Sequence, residues 1–212
     1  MIATQILNIL KSRKYCRIKI ENNIALLNTI NYFVEQNRPI NLVGYWGIMD
    51  KDKVDDRDKR TVEQLQEINK RIKQAYKPGL IITFIIADTH AKANGFSNKN
   101  YQKEIISLFE SHNNIDYIFA SDLSGEYTKK EISGELKTIL ENSAKRIHKE
   151  KYLYPLTKYL RLRITDADAI EKTFRNSIFF SYNRKEYKEI FPRLPYLLLF
   201  VYDRTNYPPW MK

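Results

Sequence analysis

Pro39-Ile40-Asn41-Leu42-Val43-Gly44-Tyr45 and Pro78-Gly79-Leu80-Ile81-Ile82-Thr83-Phe84-Ile85-Ile86-Ala87 are the two stretches on which the fold turns. Each is a short, mainly apolar run opened by proline, and neither shows a sustained alternation of polar with apolar residues. That is the habit of strands buried on both faces, as in a parallel sheet covered by helices. Parallel neighbours need a crossover, and the residues between the two runs supply one. Thr61 with Gln64 reads as a capping box, after which Val62, Leu65, Ile68, Ile72 and Tyr76 fall on one helical face. Lys51 to Arg60, just before, reads as a charged, solvated loop. Pro78-Gly79 ends the helix, and the whole is a β-α-β unit.

The alternation continues outward from this unit. Ile24, Leu27, Ile30, Tyr32 and Val34 carry a helical spacing that Pro39 stops. Beyond Gly95, Tyr101, Ile105, Leu108 and Phe109 predict another helix, followed by a short strand at Tyr117 to Ala120. Lys129 to Ile147 places Ile132, Leu136, Ile139, Leu140 and Ile147 on one side, and Tyr152 to Leu162 reads as a basic helix. Late apolar runs at Ile178 to Tyr182 and Leu197 to Tyr202 complete about five strands. The expectation is α/β: a single Rossmann-like three-layer domain over residues 1–212 with a mostly parallel sheet.

Composition narrows the class. A hydrophobic fraction of 43% over 212 residues is enough to enclose a core. Cys16 is the lone cysteine, and with His90, His112 and His148 it matches no zinc spacing, so a reducing, cytoplasmic setting is expected. The first fifteen residues have an amphipathic pattern without the apolar core of a signal peptide, and Tyr196 to Tyr202 is too short to span a bilayer. No membrane partner is therefore expected. The formal charge of +11 would concentrate polyanions, RNA above all. A chain rich in Lys, Ile and Asn also acquires such a charge from an AT-rich genome. Neither a Gly-x-Gly-x-x-Gly nor a Walker loop is present, which favours chemistry without a cofactor.

Open α/β sheets bind ligands beyond the carboxyl ends of their strands. Four segments take that position: Gly44-Tyr45-Trp46-Gly47, Asp88 to Gly95 with His90 and Asn94, Ser181 to Glu186, and Tyr202-Asp203-Arg204 leading to Trp210. Asp88, at a strand tip, can accept from a substrate ammonium or cap the next turn. His90 can act as a base near neutral pH or is simply an exposed loop residue. Asp88-Thr89-His90 also matches a strand-end ligand pair of two-metal phosphoesterases, but the further Asp, Asn and His ligands are missing, so no metal is expected. Tyr182, Arg184 and Glu186 can grip an amino acid by its charged ends or form ordinary surface ion pairs. Tyr45, Trp46 and Trp210 either wall a pocket or pack.

The order Pro39-Ile40, Lys51, a helix ending at Tyr76-Lys77-Pro78-Gly79, an apolar strand and Asp88 resembles the isonitrile synthase family, which makes amino-acid-derived isocyanides. Phe180-Ser181-Tyr182 and Pro208-Pro209-Trp210 fall where that family has Leu-Ser-Ile-His and Thr-Pro-Trp-His. Its Lys-Ser-Pro-Asn segment has no counterpart after Trp46, its Ser-Asp-Gly-Arg-Val-Phe is Ala87-Asp88-Thr89-His90-Ala91-Lys92, and its terminal His is Met211. In size and charge, and in the four-residue spacing of Tyr182 and Glu186, the chain is also similar to the tRNA-dependent cyclodipeptide synthases. The nucleophilic serine of that family has no equivalent at Gly44-Tyr45-Trp46.

These readings make the protein an enzyme, with aminoacyl-tRNA and an amino-acid substrate as partners and no cofactor. The leading expectation is a transferase of natural-product biosynthesis that forms a peptide bond from aminoacyl-tRNA. Asp88, His90 and Glu186 are its catalytic candidates. Tyr45, Trp46, Asn94, Tyr182, Arg184, Asp203 and Trp210 are candidates for substrate binding, and Lys145, Arg146, Lys158, Arg161 and Arg163 for RNA phosphates. The alternatives are an isonitrile-synthase-like enzyme acting on a free amino acid and a non-catalytic RNA-binding protein.

Overall fold

The two apolar runs are β1 (Ile40–Trp46) and β2 (Leu80–Ile86) in the computed structural model, which describes residues 2–16, 23–48, 52–88, 91, 99–124, 170–182 and 195–199. They pair parallel over their full length, from Ile40 opposite Leu80 to Trp46 opposite Ile86. The crossover is α3 (Asp56–Ala75). Its start corrects the sequence reading. The capping box is formed by Asp55 and Asp58, not by Thr61 and Gln64, so the charged stretch before Thr61 is partly helical. Asp55 Oδ1 accepts from the Arg57 and Asp58 N–H groups, and Asp58 Oδ2 accepts from the Asp55 N–H. Aspartates satisfy the orphan donors of a first turn and complement its positive dipole end. Thr61 and Gln64 lie within the helix and are buried.

Gly79 ends this connection in a left-handed conformation, φ +70°, which a side chain rarely adopts. Asn69 reaches back from α3 so that its Oδ1 accepts from the Leu80 N–H at 2.8 Å, fixing where β2 begins. Tyr76 locks the same corner by donating to the carbonyl oxygens of Phe33 and Arg38.

Two helices precede β1: α1 (Ile2–Leu10) and α2 (Asn23–Glu35). The buried face of α2 is Leu26, Ile30 and Phe33, whereas Ile24 is 77% exposed and Tyr32 lies at the surface. The helix is where the sequence placed it, turned so that the i, i+4, i+7 set meets the core. After β2 come α4 (Lys99–Glu110), β3 (Ile115–Phe119), a short α5 (Ala120–Ser124), β4 (Ile178–Ser181) and β5 (Tyr196–Leu198). The five strands run β3-β2-β1-β4-β5, and every pairing is parallel. This is the Rossmann-like three-layer arrangement read from the sequence. The helices expected at Lys129 to Ile147 and Tyr152 to Leu162 lie outside the described residues.

The strands bury both faces, as continuous apolar runs require. Leu42, Trp46, Ile82, Phe84, Ile86 and Phe180 join the apolar sides of α1 to α4 in one core cluster. Its centre is aromatic: Phe84 stacks on Phe109 at 4.6 Å between centroids and meets Trp46 at 5.0 Å and Phe180 at 5.8 Å, both edge-on. On the other face Val43, Ile85, Phe179 and Tyr196 pack with Ala120 and Ile170.

Candidate functional site

The chain leaves β1 for β2 and β3 on one side of the sheet, and β4 and β5 lie on the other. Strand order therefore reverses at β1 and β4, and it is beyond the carboxyl ends at such a reversal that sheets of this kind place their ligand crevice. Its lips are Trp46-Gly47-Ile48 and Ser181-Tyr182, with Ala87-Asp88 one strand further along. Gly47 is exposed, and among the described residues a Cβ built on it would meet nothing within 4 Å.

Tyr45 and Tyr182 stand at these lips, each half-buried. Strand alternation puts them on opposite faces of the sheet. Tyr45 packs edge-on to Phe179 at 6.1 Å in the second cluster, and Tyr182 edge-on to Phe180 at 6.1 Å against the first. The two tyrosines flank the crevice from either side rather than sharing a wall.

Trp46 takes the packing role. It is buried at 7% exposure between Phe84 and Phe109, and its indole N–H donates to Tyr101 Oη at 3.0 Å. Tyr101 in turn donates to Asp58 Oδ1 at 3.2 Å. Burial pushes the Tyr101 phenol well above its ordinary value; the Trp46 hydrogen bond opposes this, and the neighbouring Asp58 carboxylate adds to it. This buried Trp46-Tyr101-Asp58 chain ties the end of β1 to the first turn of α3 and to α4. The Asp55-x-x-Asp58 spacing was its one visible trace in the sequence.

Asp88 begins a helical turn directly after β2. Its Oδ1 accepts from the Ser121 N–H at 3.1 Å, at the start of α5 after β3. Asp88 therefore caps across to the neighbouring strand's helix. A carboxylate has further acceptor sites, and Oδ2 has no hydrogen bond among the described residues. His90, Asn94, Arg184, Glu186, Asp203, Trp210 and the basic set Lys145, Arg146, Lys158, Arg161 and Arg163 lie outside the described residues. Within the described residues no three His, Cys, Asp or Glu side chains stand close enough to share a metal ion, and no helix is long and apolar enough to cross a membrane.

No family model matches the chain, and no curated protein matches it significantly. Solved structures do. The PvcA protein from Pseudomonas aeruginosa superposes with a TM-score of 0.68 at 15% identity, over 95% of this chain and 83% of that one. Tyrosyl-tRNA synthetase complexed with L-tyrosine, from Archaeoglobus fulgidus, gives 0.53 at 12% identity, over 92% of this chain and 63% of that one. At these identities the likeness is one of fold.

Proposed function

We propose that this protein is a cofactor-independent transferase of amino-acid-derived natural-product biosynthesis that forms a peptide bond from aminoacyl-tRNA. The observation that carries the reading is the reversal of strand order at β1/β4: Tyr45 and Tyr182 stand at the carboxyl ends there, Gly47 beside them is exposed, and Asp88 stands one strand away. A chain of net charge +11 suits a polyanionic substrate better than a free amino acid. The likeness in fold to a tyrosyl-tRNA synthetase is consistent with it.

An aminoacyl ester is already activated, so catalysis requires positioning and removal of a proton from the attacking amine. In this proposal Glu186 or His90 takes the proton, and Asp88 holds the substrate ammonium through the oxygen that α5 does not use. Tyr45, Asn94, Tyr182, Arg184, Asp203 and Trp210 line the substrate, and Lys145, Arg146, Lys158, Arg161 and Arg163 contact phosphates. The whole of residues 1–212 forms the domain that does this, in the cytoplasm. The second reading, an isonitrile-synthase-like enzyme acting on a free amino acid, is favoured by the order of segments: Asp88 and Phe180-Ser181-Tyr182 both lie at strand tips.

Mass spectrometry of medium from expressing cells, with Asp88→Asn in parallel, tests the proposal. Asparagine caps a helix about as well as aspartate, so Asp88→Asn should fold normally and lose the product. Product made from free amino acids at a rate that ribonuclease leaves unchanged would overturn the tRNA reading in favour of the second one.

A further inference from the structure

A second concave surface lies between α1 and α3, with a volume of about 770 Å³. Its polar lining is Thr4, Gln5, Asn8 and Ser12 from the first helix and its end, facing Arg71 and Gln74 of α3. Three primary amides, two hydroxyls and one guanidinium make this a polar wall, rich in donors and acceptors, with a single formal charge among the described lining residues. Among the described residues no carboxylate lines it.

Arg71 is held in place from behind. Tyr15, which is fully buried, accepts from Arg71 Nη1 at 3.2 Å, and the guanidinium lies 5.6 Å from the centroid of the same ring. The Tyr15 hydroxyl spends its own proton on Glu67 Oε1 at 3.0 Å. Glu67 forms an ion pair with Lys14, and its charge also acts on Arg71, one turn further along α3. Arg71 therefore reaches the groove oriented by Tyr15, with no ion pair among the described residues and with its charge partly offset by Glu67. The last turn of α3 brings negative partial charge to this region. The attraction for an anion accordingly rests on the guanidinium and the amides, not on a helix dipole.

We propose that this groove docks the phosphodiester backbone of RNA. A diester carries one negative charge per phosphate, matched by one guanidinium, whereas a free phosphate or monoester carries about −1.5 to −2 and would be half neutralised. Amide and hydroxyl side chains suit ribose hydroxyls and base edges. The groove also lies away from the crevice. Arg71 and Gln74 sit near the carboxyl end of α3, which leads into the amino end of β2, and a seven-residue strand such as β2 spans roughly 23 Å. An RNA bound here contacts the end of the sheet opposite the candidate site, as a molecule longer than the reacting group would. The inference shares the RNA partner with the proposed function but not its chemistry.

The test is fluorescence anisotropy of a labelled, unacylated RNA hairpin with the full chain, in a salt series. Arg71→Gln should weaken binding about tenfold, the scale of a lost charge-assisted hydrogen bond, and flatten the salt slope by about one contact. Gln74→Glu leaves the Tyr15 bond intact, is made at an exposed position and should weaken binding by repulsion. It decides the matter if Arg71→Gln fails to fold. Wild-type affinity and slope in the folded variants, or no RNA binding by the wild type, would overturn the inference. So would displacement of the RNA by millimolar inorganic phosphate, which would mark a free-phosphate site. The peptide-bond reading is scored separately, because Asp88→Asn should lose product while binding the hairpin at wild-type strength.

Discussion

Gly44→Ala is the substitution whose cost follows most directly from the coordinates. Gly44 sits in β1 between Phe84 of β2 and Phe180 of β4, its register partners on either side. A Cβ at Gly44 would lie 2.7 to 2.9 Å from three ring atoms of Phe180, closer than carbon atoms pack. The ring cannot swing clear without loss, because it is 1% exposed and meets Phe84 at 5.8 Å and Tyr182 at 6.1 Å. Overpacking of this kind costs about 1–3 kcal/mol. For a chain of this size each kcal/mol lowers Tm by roughly 2–4 °C, so calorimetry should show a drop of several degrees. Phe180→Leu removes the obstructing ring atoms. The double variant should then be less destabilised than the sum of the two single variants by at least about 0.5 kcal/mol. Because Phe180 is followed by Ser181-Tyr182, a displaced ring should also disturb the β4 lip and lower product formation. An unchanged Tm in Gly44→Ala, or strict additivity with Phe180→Leu, would refute the account.

Three further outcomes follow from polar contacts. Tyr101→Phe strips partners from the Trp46 indole and from Asp58 and should cost about 1–3 kcal/mol by urea unfolding. Burial raises the Tyr101 pKa, so its contribution is present below about pH 10 and is lost as pH climbs past it; the variant should therefore lose stability less steeply above that pH than the wild type. The Glu67 carboxyl is held below its ordinary value, chiefly by the hydrogen bond from Lys14 and then, against a desolvation cost, by Tyr15. Its contribution is present above about pH 4.5 and lost as pH falls through the depressed value, so Glu67→Gln should flatten the acid limb by no more than about 1 kcal/mol for so exposed a pair. Asp88→Ala, unlike Asp88→Asn, removes the acceptor for the Ser121 N–H, and thermal unfolding should show a loss of about 1 kcal/mol that the asparagine variant avoids.

The strands were the legible part of this fold because a buried parallel strand needs no partner to be recognised. Ile40 to Tyr45 and Leu80 to Ala87 are apolar on both faces, and only a sheet covered on both sides has room for such runs. Helix faces were less legible, because several apolar sets compete on one cylinder. Ile24 and Tyr32 fit the helical spacing of α2 as well as Leu26 and Phe33 do, and only the packing of α2 against its neighbours makes the second set the buried one. The start of α3 was misread for a chemical reason. Thr61 and Gln64 match the usual capping pattern, but Asp55 and Asp58 present the same acceptors six residues earlier, inside a charged run that looks like solvent-facing loop.

Residues of the crevice were legible as positions but not as roles. A strand tip can be found from where an apolar run stops, and Tyr45, Asp88 and Tyr182 are all at tips. What a side chain does there depends on partners distant in sequence, which a single chain read linearly does not display. Asp88 meets a backbone N–H thirty-three residues away, and Trp46 meets a phenol fifty-five residues away. The two cases have different consequences for chemistry. Trp46 spends its only donor on Tyr101, so as a substrate ligand it would have to give up a buried hydrogen bond and the contacts of a packed ring. Asp88 spends one carboxylate oxygen on α5 and makes no hydrogen bond through the other among the described residues, and the helix it caps holds the carboxylate beside the ends of β2 and β3. A structural bond to a carboxylate thus does not compete with a binding role. By fixing the rotamer it removes an entropic cost that a free side chain would incur when it meets an ammonium.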